Sequence, residues 1–435
     1  MMMNSKYKNI IIATALMASN VGVAETWDLQ QCIDYALEHN IDIKLREQDI
    51  ESGKLQVDDA RHSFLPQLSA NASQSFNFGR GLTSENTYAN RNTSSFQAGA
   101  QFSIPIFSGL RNSRTLEQSK LNLRQITYQL EQVRDNVTLN VIAQYLQVLY
   151  NKEVTASARN QAELSTIELE RRKSLAQSGK IAEIEVLEAE SQLAQDKLTL
   201  VNAQNDYKLA VLELTQLLQL DNADDFEVVE LADSQPMIPS AMSVYESAAG
   251  INSGVKAADA QIEVADAAIK VAQSGYVPTL SMNGGTGSSY YKLNGMNNMA
   301  FGKQFRENFS TYIGFSLNIP IFDALNTRTA VKRARVQSLS ARLQADQVRS
   351  DLYKAIQQAH VQATGAQDKY RTAVISCNAA EVSFNAMSEK YNLGRATSTE
   401  YEQSKVNYFT AQIQKIQAQY EYMLRYRILD FYRNH

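Results

Sequence analysis

One short phrase occurs twice in this chain. The stretch "FSIPIFSGLRNSRT" covers residues 102–115, and "FSLNIPIFDALNTRT" covers residues 315–329. Pro320 follows Pro105 by 215 positions, close to half of the 435 residues. A recurrence on this scale predicts an internal duplication, which restricts the chain to a fold built from two similar halves.

Two further pairs of landmarks recur at almost the same offset. Pro66 in Leu-Pro-Gln-Leu is answered by Pro278 in Val-Pro-Thr-Leu, 212 positions later, and Gly179 is answered by Gly394, 215 positions later. Collinear landmarks of this kind favour duplication over chance. The predicted organisation is a first repeat at 25–231, a linker at 232–242 and a second repeat at 243–435.

The first 24 residues have the pattern of a secretory signal peptide. Lys6 and Lys8 precede a short apolar core at 10–18, and small residues stand ahead of a predicted cleavage site before Glu25. A retained membrane helix needs about 20 apolar residues, and neither this segment nor a later one supplies them. We therefore expect an exported chain without a transmembrane helix.

The net charge bears on possible partners, and the cysteine content bears on disulfide bonding. The formal net charge is −4, and it becomes −6 without Lys6 and Lys8, so nucleic acid is not an expected partner. The two cysteines, Cys32 and Cys377, are expected to be buried thiols rather than a disulfide framework.

Each repeat contains two stretches in which apolar and polar residues alternate. In the first repeat these are 67–78 and 96–107, separated by a polar loop, and in the second they are 279–291 and 309–322. A period of two is the signature of a β-strand. The sequence therefore predicts β-hairpins at 67–107 and 279–322, each with an apolar and a polar face.

The remaining sequence predicts unusually long helices. None of the six prolines falls within the predicted helical hairpins at 108–219 and 323–432, and roughly 70 helical residues would span about 100 Å. Ser108 and Asp323 are predicted N-caps where strand gives way to helix. In the second repeat, apolar residues follow alternating steps of four and three, which indicates a heptad seam: Leu352, Ile356, Ala359, Ala363, Ala366, Tyr370, Ala373, Cys377, Ala380, Phe384, Met387 and Tyr391.

The number of strands then suggests a membrane pore shared between chains. Four strands with one apolar face cannot close a barrel alone, since the smallest membrane barrels have about eight, and open edges are not tolerated in lipid. Several chains must therefore share one barrel; three would give twelve strands, and two or four chains also remain open. The alternative is a soluble β-sandwich with one solvent-exposed face. The sequence offers no other strand candidates to cover the apolar faces, which counts against it.

At this point the chain resembles the TolC-like outer membrane factors, also called outer membrane efflux proteins. The resemblance rests on the duplicated halves, the strand pairs, the Ile-Pro-Ile-Phe junctions and the Gly-centred turns. It implies a mainly α fold with a membrane β-barrel: long antiparallel helical hairpins form an α-barrel, and four strands per chain contribute to a trimeric 12-stranded β-barrel. The prolines Pro66, Pro105, Pro278 and Pro320, with Ser108 and Asp323, would mark the strand-helix junctions.

The resemblance also implies a location and a function. Such a protein would sit in the outer membrane of a Gram-negative bacterium with a long periplasmic extension. It would be a homotrimer that contacts outer membrane lipid, a periplasmic adaptor (membrane fusion) protein and an inner-membrane transporter. It would serve as the passive exit duct of a tripartite efflux pump, gated at its periplasmic helical tips, or alternatively of a type I secretion system.

Two stretches, "SGKIAEIEVLEAESQLA" (178–194) and "LGRATSTEYEQSKVNYF" (393–409), resemble the family's tip motif. By the resemblance, adaptor docking is assigned to Gly179, Glu185, Val186, Ala189, Gly394, Arg395, Glu400 and Ser404, and the aperture to Glu400 and Gln403. Each Gly could take the positive φ that ends a helix, and each Glu would suit the first turn of the returning helix. That local role and a ring of Glu400 carboxylates at the aperture both remain open for Glu400.

At two positions the chain departs from the family's tip motif. Some family members have a second acidic residue where this chain has Gln403, and some place an Arg two residues after the tip glycine, where this chain has Ala396. Here Arg395 directly follows Gly394.

No catalytic constellation stands out. The four histidines have no metal-ligand spacing and there is no phosphate-binding Gly-rich loop with a following Lys-Ser or Lys-Thr, so we expect neither an enzyme nor a metal or cofactor site. The alternative of a different class is a periplasmic coiled-coil scaffold that uses its hairpins for β-pairing. It would be soluble without detergent.

Overall fold

The computed structural model describes residues 25–82, 86–90, 92–220, 226–231 and 237–434. The predicted signal peptide at 1–24 and the linker residues 232–236 lie outside these ranges. Within them the chain forms two compact units. Unit 1 comprises 25–36, 141–231 and 377–420, and unit 2 comprises 37–140, 237–376 and 421–434.

The described residues form nine α-helices, and the two longest have the same length. Helices α3 and α8 have 67 residues each, and the helices that follow them have 36 and 37, so the expected long uninterrupted helices are confirmed. The bounds are α1 (Leu29–His39), α2 (Ile41–His62), α3 (Arg111–Gln177), α4 (Glu183–Leu218), α5 (Ala241–Ile251), α6 (Ser253–Gln273), α7 (Phe301–Glu307), α8 (Asn326–Asn392) and α9 (Ser398–Asn434). A 3₁₀ turn covers Ser274–Tyr276.

The strands fall into one four-stranded sheet and two small pairs. Their bounds are β1 (Glu25–Trp27), β2 (Gln67–Asn77), β3 (Arg80–Leu82), β4 (Tyr88–Asn90), β5 (Thr93–Phe107), β6 (Phe226–Val228), β7 (Thr279–Leu293) and β8 (Ser310–Asn318). In unit 2 the order β2-β5-β7-β8 is antiparallel throughout. Among the described strands, β2 and β8 therefore each have one unpaired edge.

The registers confirm that the sheet has one apolar and one polar face. Leu68 pairs with Phe102, and Met282 pairs with Phe315, on the same face. The apolar side chains are left open to the surroundings, with Leu68 79% and Phe315 69% exposed. The opposite face is lined by Ser69, Asn71, Ser73, Gln97, Gln101, Asn283 and Ser316. One face of the sheet is thus suited to lipid and the other to water.

Two details of the sheet differ from the expectation. Strand β8 ends at Asn318 rather than at 322, so Pro320 lies beyond the strand. Pro105, predicted as a junction, lies inside β5 next to an irregularity in the register with β7. Proline is tolerated at such a position because the pairing is already interrupted there.

The strand-to-helix junctions repeat one backbone motif. Gly109 and Leu110 have φ values of 64° and 66°, and Ala324 and Leu325 have 55° and 63°. These left-handed pairs delay the helices, so that Ser108 and Asp323 stand three residues ahead of α3 and α8 rather than directly before them. Their side chains still accept bonds from helix N–H groups. The Ser108 hydroxyl accepts a hydrogen bond from the backbone N–H of Asn112 at 3.3 Å. The Asp323 carboxylate accepts one from the backbone N–H of Thr327 at 2.7 Å.

The predicted heptad seam of α8 is confirmed by burial. Leu352, Ile356, Ala359 and Ala363 pack in unit 2 with residues of α5, α6 and α9. Farther along, Cys377 and Phe384 are buried in unit 1. Alanine at five of the twelve seam positions allows the close approach of neighbouring helices.

Unit 1 contains a small element that the strand patterns do not predict. β1 and β6 pair in parallel, and the buried Tyr145 of α3 donates its hydroxyl to the carbonyls of Trp27 and Val229 beside them, at 3.0 and 2.6 Å. The expectation that no other strands exist is therefore wrong, because three-residue strands are too short to show a period. Cys32 and Cys377 are both buried, as expected, and both thiols are free.

Candidate channel gate at the helix tips

The turn of each long helical hairpin is closed by the same glycine motif. Gly179 donates its N–H to Ala176 at 2.8 Å, and Lys180 donates to Leu175 at 2.9 Å. After α8, Gly394 donates to Tyr391 at 3.0 Å and Arg395 to Lys390 at 2.8 Å. Both patterns are Schellman motifs, and the glycines have φ values of 70° and 69°. The predicted positive φ is confirmed at both turns.

The second turn continues into a capping box. Thr397 precedes α9, and its N–H and hydroxyl both donate to the Glu400 carboxylate at 2.8 and 2.9 Å. The N–H of Glu400 donates back to the Thr397 hydroxyl at 3.3 Å. This reciprocal arrangement satisfies the free N–H groups of the first turn. These hydrogen bonds hold the pKa of the Glu400 carboxyl below its usual value, so Glu400 has the local role that its position indicated.

The first turn lacks the box although the acidic residue is present. Ala182 occupies the cap position of α4 and makes no side-chain bond, while Glu183 and Glu185 lie in the first turn. The carbonyl of Glu185 instead accepts a bond from Arg172 Nη1 at 3.2 Å. The two tips therefore share their backbone geometry but differ in how the returning helix begins.

The other tip residues assigned by the resemblance divide into buried and exposed groups. Ala189 is buried with Leu169 and Leu193, and Val186 packs against them. Ser404, its counterpart in the second repeat, is also buried. Arg395 and Gln403 are exposed, and Gln403 donates to Asn407 at 3.0 Å. The buried members can only support the tip from within, so the surface of the tip consists of the exposed ones.

Beside these turns lies a buried ionic cluster that the sequence analysis did not identify. Its first half is centred on Glu168 of α3. Arg172 Nε donates to Glu168 at 2.8 Å, and the Tyr391 hydroxyl of α8 donates to the same carboxylate at 2.5 Å. The guanidinium of Arg171 stacks 4.5 Å from the centre of the Tyr391 ring. This half joins the first hairpin to the second through one carboxylate.

The second half is centred on Lys405 of α9, whose side chain is fully buried. Lys405 Nζ lies 2.7 Å from Glu402 Oε2 and 3.8 Å from Asp196 Oδ2, and it donates to the Ser165 hydroxyl at 2.8 Å. Ser165 in turn donates to Asp196. Asp196 is 2% exposed and also accepts bonds from the side-chain amides of Gln161 and Gln192, both at 2.9 Å.

Glu402 connects the two halves, since its Oε1 lies 3.6 Å from Arg172 Nη2. That nitrogen is buried and makes no hydrogen bond within the described residues. Burial disfavours the charged guanidinium, but the hydrogen bond and charge of Glu168 more than offset this, so the pKa of Arg172 is raised. Burial, with the Glu168 bond, also raises the pKa of Tyr391. The cluster is a charged contact between α3, α4, α8 and α9.

A signal for this cluster is present in the sequence. Ala158, Ala162, Ser165, Leu169 and Arg172 follow steps of four and three along α3, and all five are buried. A serine and an arginine at seam positions indicate polar contacts inside the hairpin. Which carboxylates they meet could not be predicted, because those lie on other helices.

The described ranges give no indication of a metal centre or of a membrane helix. No group of three or more His, Cys, Asp or Glu side chains there is arranged to hold a metal ion. No helix in those ranges combines the length and the apolar character that a bilayer-spanning helix needs.

The geometry defines a class of protein. Among the described strands, the sheet is apolar on one face, polar on the other and open at both edges, and its strands lead into long helices. These features are typical of a subunit of an outer membrane channel. The chain belongs to the outer membrane efflux protein family, whose model matches residues 32–219 and 244–431.

Similar proteins agree with this assignment. Outer membrane protein TolC of Escherichia coli (strain K12) is 23% identical over 437 residues, covering 95% of this chain and 83% of TolC. Alkaline protease secretion protein AprF of Pseudomonas aeruginosa is 28% identical over 204 residues, covering 45% and 40%. The crystal structure of the Campylobacter jejuni CmeC outer membrane channel matches with a TM-score of 0.78 at 18% identity, covering 93% and 85%.

These comparisons confirm the resemblance, the fold class and the outer membrane location that the sequence predicts. The chain is mainly helical, with two long helical hairpins and a four-stranded sheet, and it shares this fold with solved outer membrane channels. The family consists of efflux channel proteins rather than enzymes.

Proposed function

We propose that three copies of this chain form a passive exit duct across the outer membrane for a tripartite efflux pump. The proposal rests on the exposed apolar face and the unpaired edges of the four-stranded sheet. Many of its apolar side chains are exposed, and among the described strands β2 and β8 each leave one edge unpaired. In lipid the unpaired edges need partners, and three sheets joined edge to edge give twelve strands.

The polar face of the sheet supports a hydrated passage. Serine, asparagine and glutamine side chains line it, and its middle contains Gly99, Gly285 and Gly287, which add no side-chain bulk. Such a lining favours water and small polar solutes without binding them tightly. The duct would then leave the choice of substrate and the supply of energy to an inner-membrane transporter.

We propose that the duct narrows at the helix tips and is gated there. Glu400 is exposed in the first turn of α9 and has a lowered pKa, so its carboxylate stays ionised near neutral pH. One such side chain from each copy would form an acidic ring that favours cations. The buried ionic cluster lies on the same hairpins and fixes how the two tips pack in each copy.

The exposed parts of the tips support adaptor docking. Ile184 and Leu187 of α4 are 60% and 55% exposed, and Leu393 beside Gly394 is 70% exposed. Apolar side chains at this exposure are suited to contact with another protein. The docking residues suggested by the tip motif would provide the turn geometry, and these neighbours would provide the contact area.

The mass of the detergent-extracted particle tests the duct. Light scattering, corrected for bound detergent, should give the protein mass of three chains, and the particle should conduct ions in a planar bilayer. A folded monomer, or a particle that stays soluble without detergent, would contradict the shared barrel and favour a periplasmic coiled-coil scaffold.

A charge variant tests the gate separately. Glu400→Gln should lower the preference of the channel for cations, because it removes the charge from the ring. Glu183→Gln is a matched control, since Glu183 lies in the first turn of the other returning helix. Equal selectivity in wild type and both variants would contradict an aperture at Glu400 but not the duct itself.

The exit duct of a type I secretion system is the second candidate function. It is favoured by the similarity to AprF, whose name describes secretion of alkaline protease. Deletion of the gene in its native host distinguishes the two. Efflux predicts accumulation of small toxic compounds in the cell, whereas secretion predicts loss of a specific protein from the medium.

We also propose that the chain consists of two repeats, 25–231 and 243–435. The two separate matches of the family model support this division, as do the matching turns and junctions.

A further inference from the structure

A short helix covers part of the apolar face of the sheet. The rings of Phe301 and Phe305 in α7 stack at 5.4 Å. Phe96 of β5 lies 5.8 and 5.9 Å from them, and Tyr290 of β7 lies 5.0 Å from Phe301. Phe96 and Tyr290 are register partners on the face that carries Leu68 and Phe102. Helix α7 therefore packs on the face suited to lipid, not on the polar face.

Hydrogen bonds to strand β7 fix this helix in place. The side-chain amide of Gln304 accepts from the N–H of Tyr291 and donates to its carbonyl, both at 3.0 Å. Asn308 donates to the Ser289 carbonyl at 2.7 Å, and Ser288 donates to the carbonyl of Phe305. The helix is thus attached through both its side chains and its backbone, which makes it a defined surface.

The position of α7 along the strands corresponds to one boundary of the membrane. Leu280, where β7 leaves the junction, and Tyr290 are ten positions apart, about 33 Å along a strand. At the tilt usual in membrane barrels this is about 25 Å, the height of the apolar band. Strand β8 pairs with β7 only as far as Gly287 and Ser310. Helix α7 bonds to the next residues of β7, so it lies on the side of β7 that β8 leaves unpaired there. It lies at the end of the sheet opposite the helices.

Three cations surround this site. Lys303 and Arg306 are exposed on α7, and Lys292 is exposed on β7, on the same face as Tyr290. Within the described residues none of the three forms an ion pair with a carboxylate. Glu307 is the one acidic residue of the helix. A cluster of aromatic side chains with exposed cations beside it, at the edge of an apolar band, is suited to bind anionic lipid headgroups.

We propose that α7 is a binding site for a phosphorylated lipid of the outer leaflet. Lys303, Arg306 and Lys292 would contact the phosphates, and the acyl chains would lie along the apolar face below Phe301. The site would fix the depth of the barrel in the membrane. The proposal depends on the outer membrane location and not on what the duct exports.

Lipid binding to the purified protein tests this directly. Phosphorylated lipid A is titrated into the detergent-solubilised protein, and bound lipid is counted by native mass spectrometry. The double variant Lys303→Gln/Arg306→Gln should bind it about 30-fold more weakly, since each cation near an anionic headgroup contributes on the order of 1 kcal/mol. Lys332→Gln/Arg335→Gln, which removes two exposed charges from α8, should bind as wild type does.

Two further probes identify what is bound. Lipid A without phosphates should bind weakly to wild type and equally to both double variants. Inorganic phosphate at millimolar concentration should not displace the lipid. Three results would each overturn the proposal: equal binding of the phosphorylated lipid to the two double variants, wild-type binding of the dephosphorylated lipid as tight as that of the phosphorylated lipid, or displacement by phosphate alone. Phe301→Ala/Phe305→Ala, which keeps every cation but removes the anchor, should also weaken binding.

Discussion

Replacement of Lys405 by Met tests the energetic role of the buried cluster. The substitution keeps the apolar stem and removes the charge, so that Glu402 and Asp196 lose the cation at 2.7 and 3.8 Å. Removal of one partner from a buried pair costs about 3–5 kcal/mol. The lower end applies here, because Asp196 keeps its bonds from Ser165, Gln161 and Gln192 and the Glu402 side chain is 23% exposed.

A cost of about 3 kcal/mol raises the local opening equilibrium more than ~100-fold. Hydrogen exchange of the intact protein in detergent measures this directly, because peptides that cover the first turns of α9 should lose protection by that factor. Exchange is preferred to a melting temperature, since a chain of two units need not unfold in one step. Lys197→Met is the control. Lys197 is exposed next to Asp196, and its loss should change protection by less than about 0.5 kcal/mol.

A rescue by two further substitutions is also expected. Addition of Asp196→Asn and Glu402→Gln to Lys405→Met removes the uncompensated carboxylates and should restore most of the lost protection. Unchanged exchange in the single variant, or a further loss in the triple variant, would refute the view that charge compensation holds these helices together.

Three more outcomes follow from the tips and from the buried thiol. Thr397→Ala breaks the capping box and should cost about 1 kcal/mol of local stability in α9, whereas Ala182→Thr should stabilise α4 by forming the missing box. Hydrogen exchange at the first turns of α9 and α4 measures both effects. No change in either variant would contradict the capping assignment. Gly179→Ala and Gly394→Ala should each cost about 1–2 kcal/mol, purely through the positive φ. Beyond the adjoining residues, no described atom lies within 4 Å of either new methyl group. Asn at the same sites should cost less, and an equal cost for Asn would refute this cause. Burial, with the charge of Asp28 adding to it, raises the pKa of Cys32 to about 12, so the contribution of the neutral thiol to stability is complete below about pH 9 and is lost as the pH rises towards 12. Maleimide labelling of Cys32 should not accelerate between about pH 7 and pH 9 as that of a free thiol does. A pH profile like that of a free thiol would show that the site opens.

The sequence predicts those elements whose local pattern extends over many residues. The four strands of the sheet each alternate over at least nine residues, and α3 and α8 lack proline throughout. Three-residue strands such as β1 and β6 have no measurable period. The left-handed pairs at 109–110 and 324–325 include Leu and Ala, residues that rarely adopt this backbone, so composition does not indicate them.

The two proposed repeats keep the same geometry where the backbone demands it and differ where they meet each other. Both retain the tip glycine and the left-handed junction, because a chain reversal or a strand-to-helix transition requires the same backbone in either half. The cluster is not duplicated. At the offset of 215 that relates the tips, Glu168 and Arg172 correspond to Ser383 and Met387, and Lys405 corresponds to Glu190. A contact between two unlike hairpins needs opposite charges on the two sides, and identical copies would repel there. Divergence at these positions therefore gives each hairpin a distinct contact surface. These surfaces determine how the two hairpins pair within one copy.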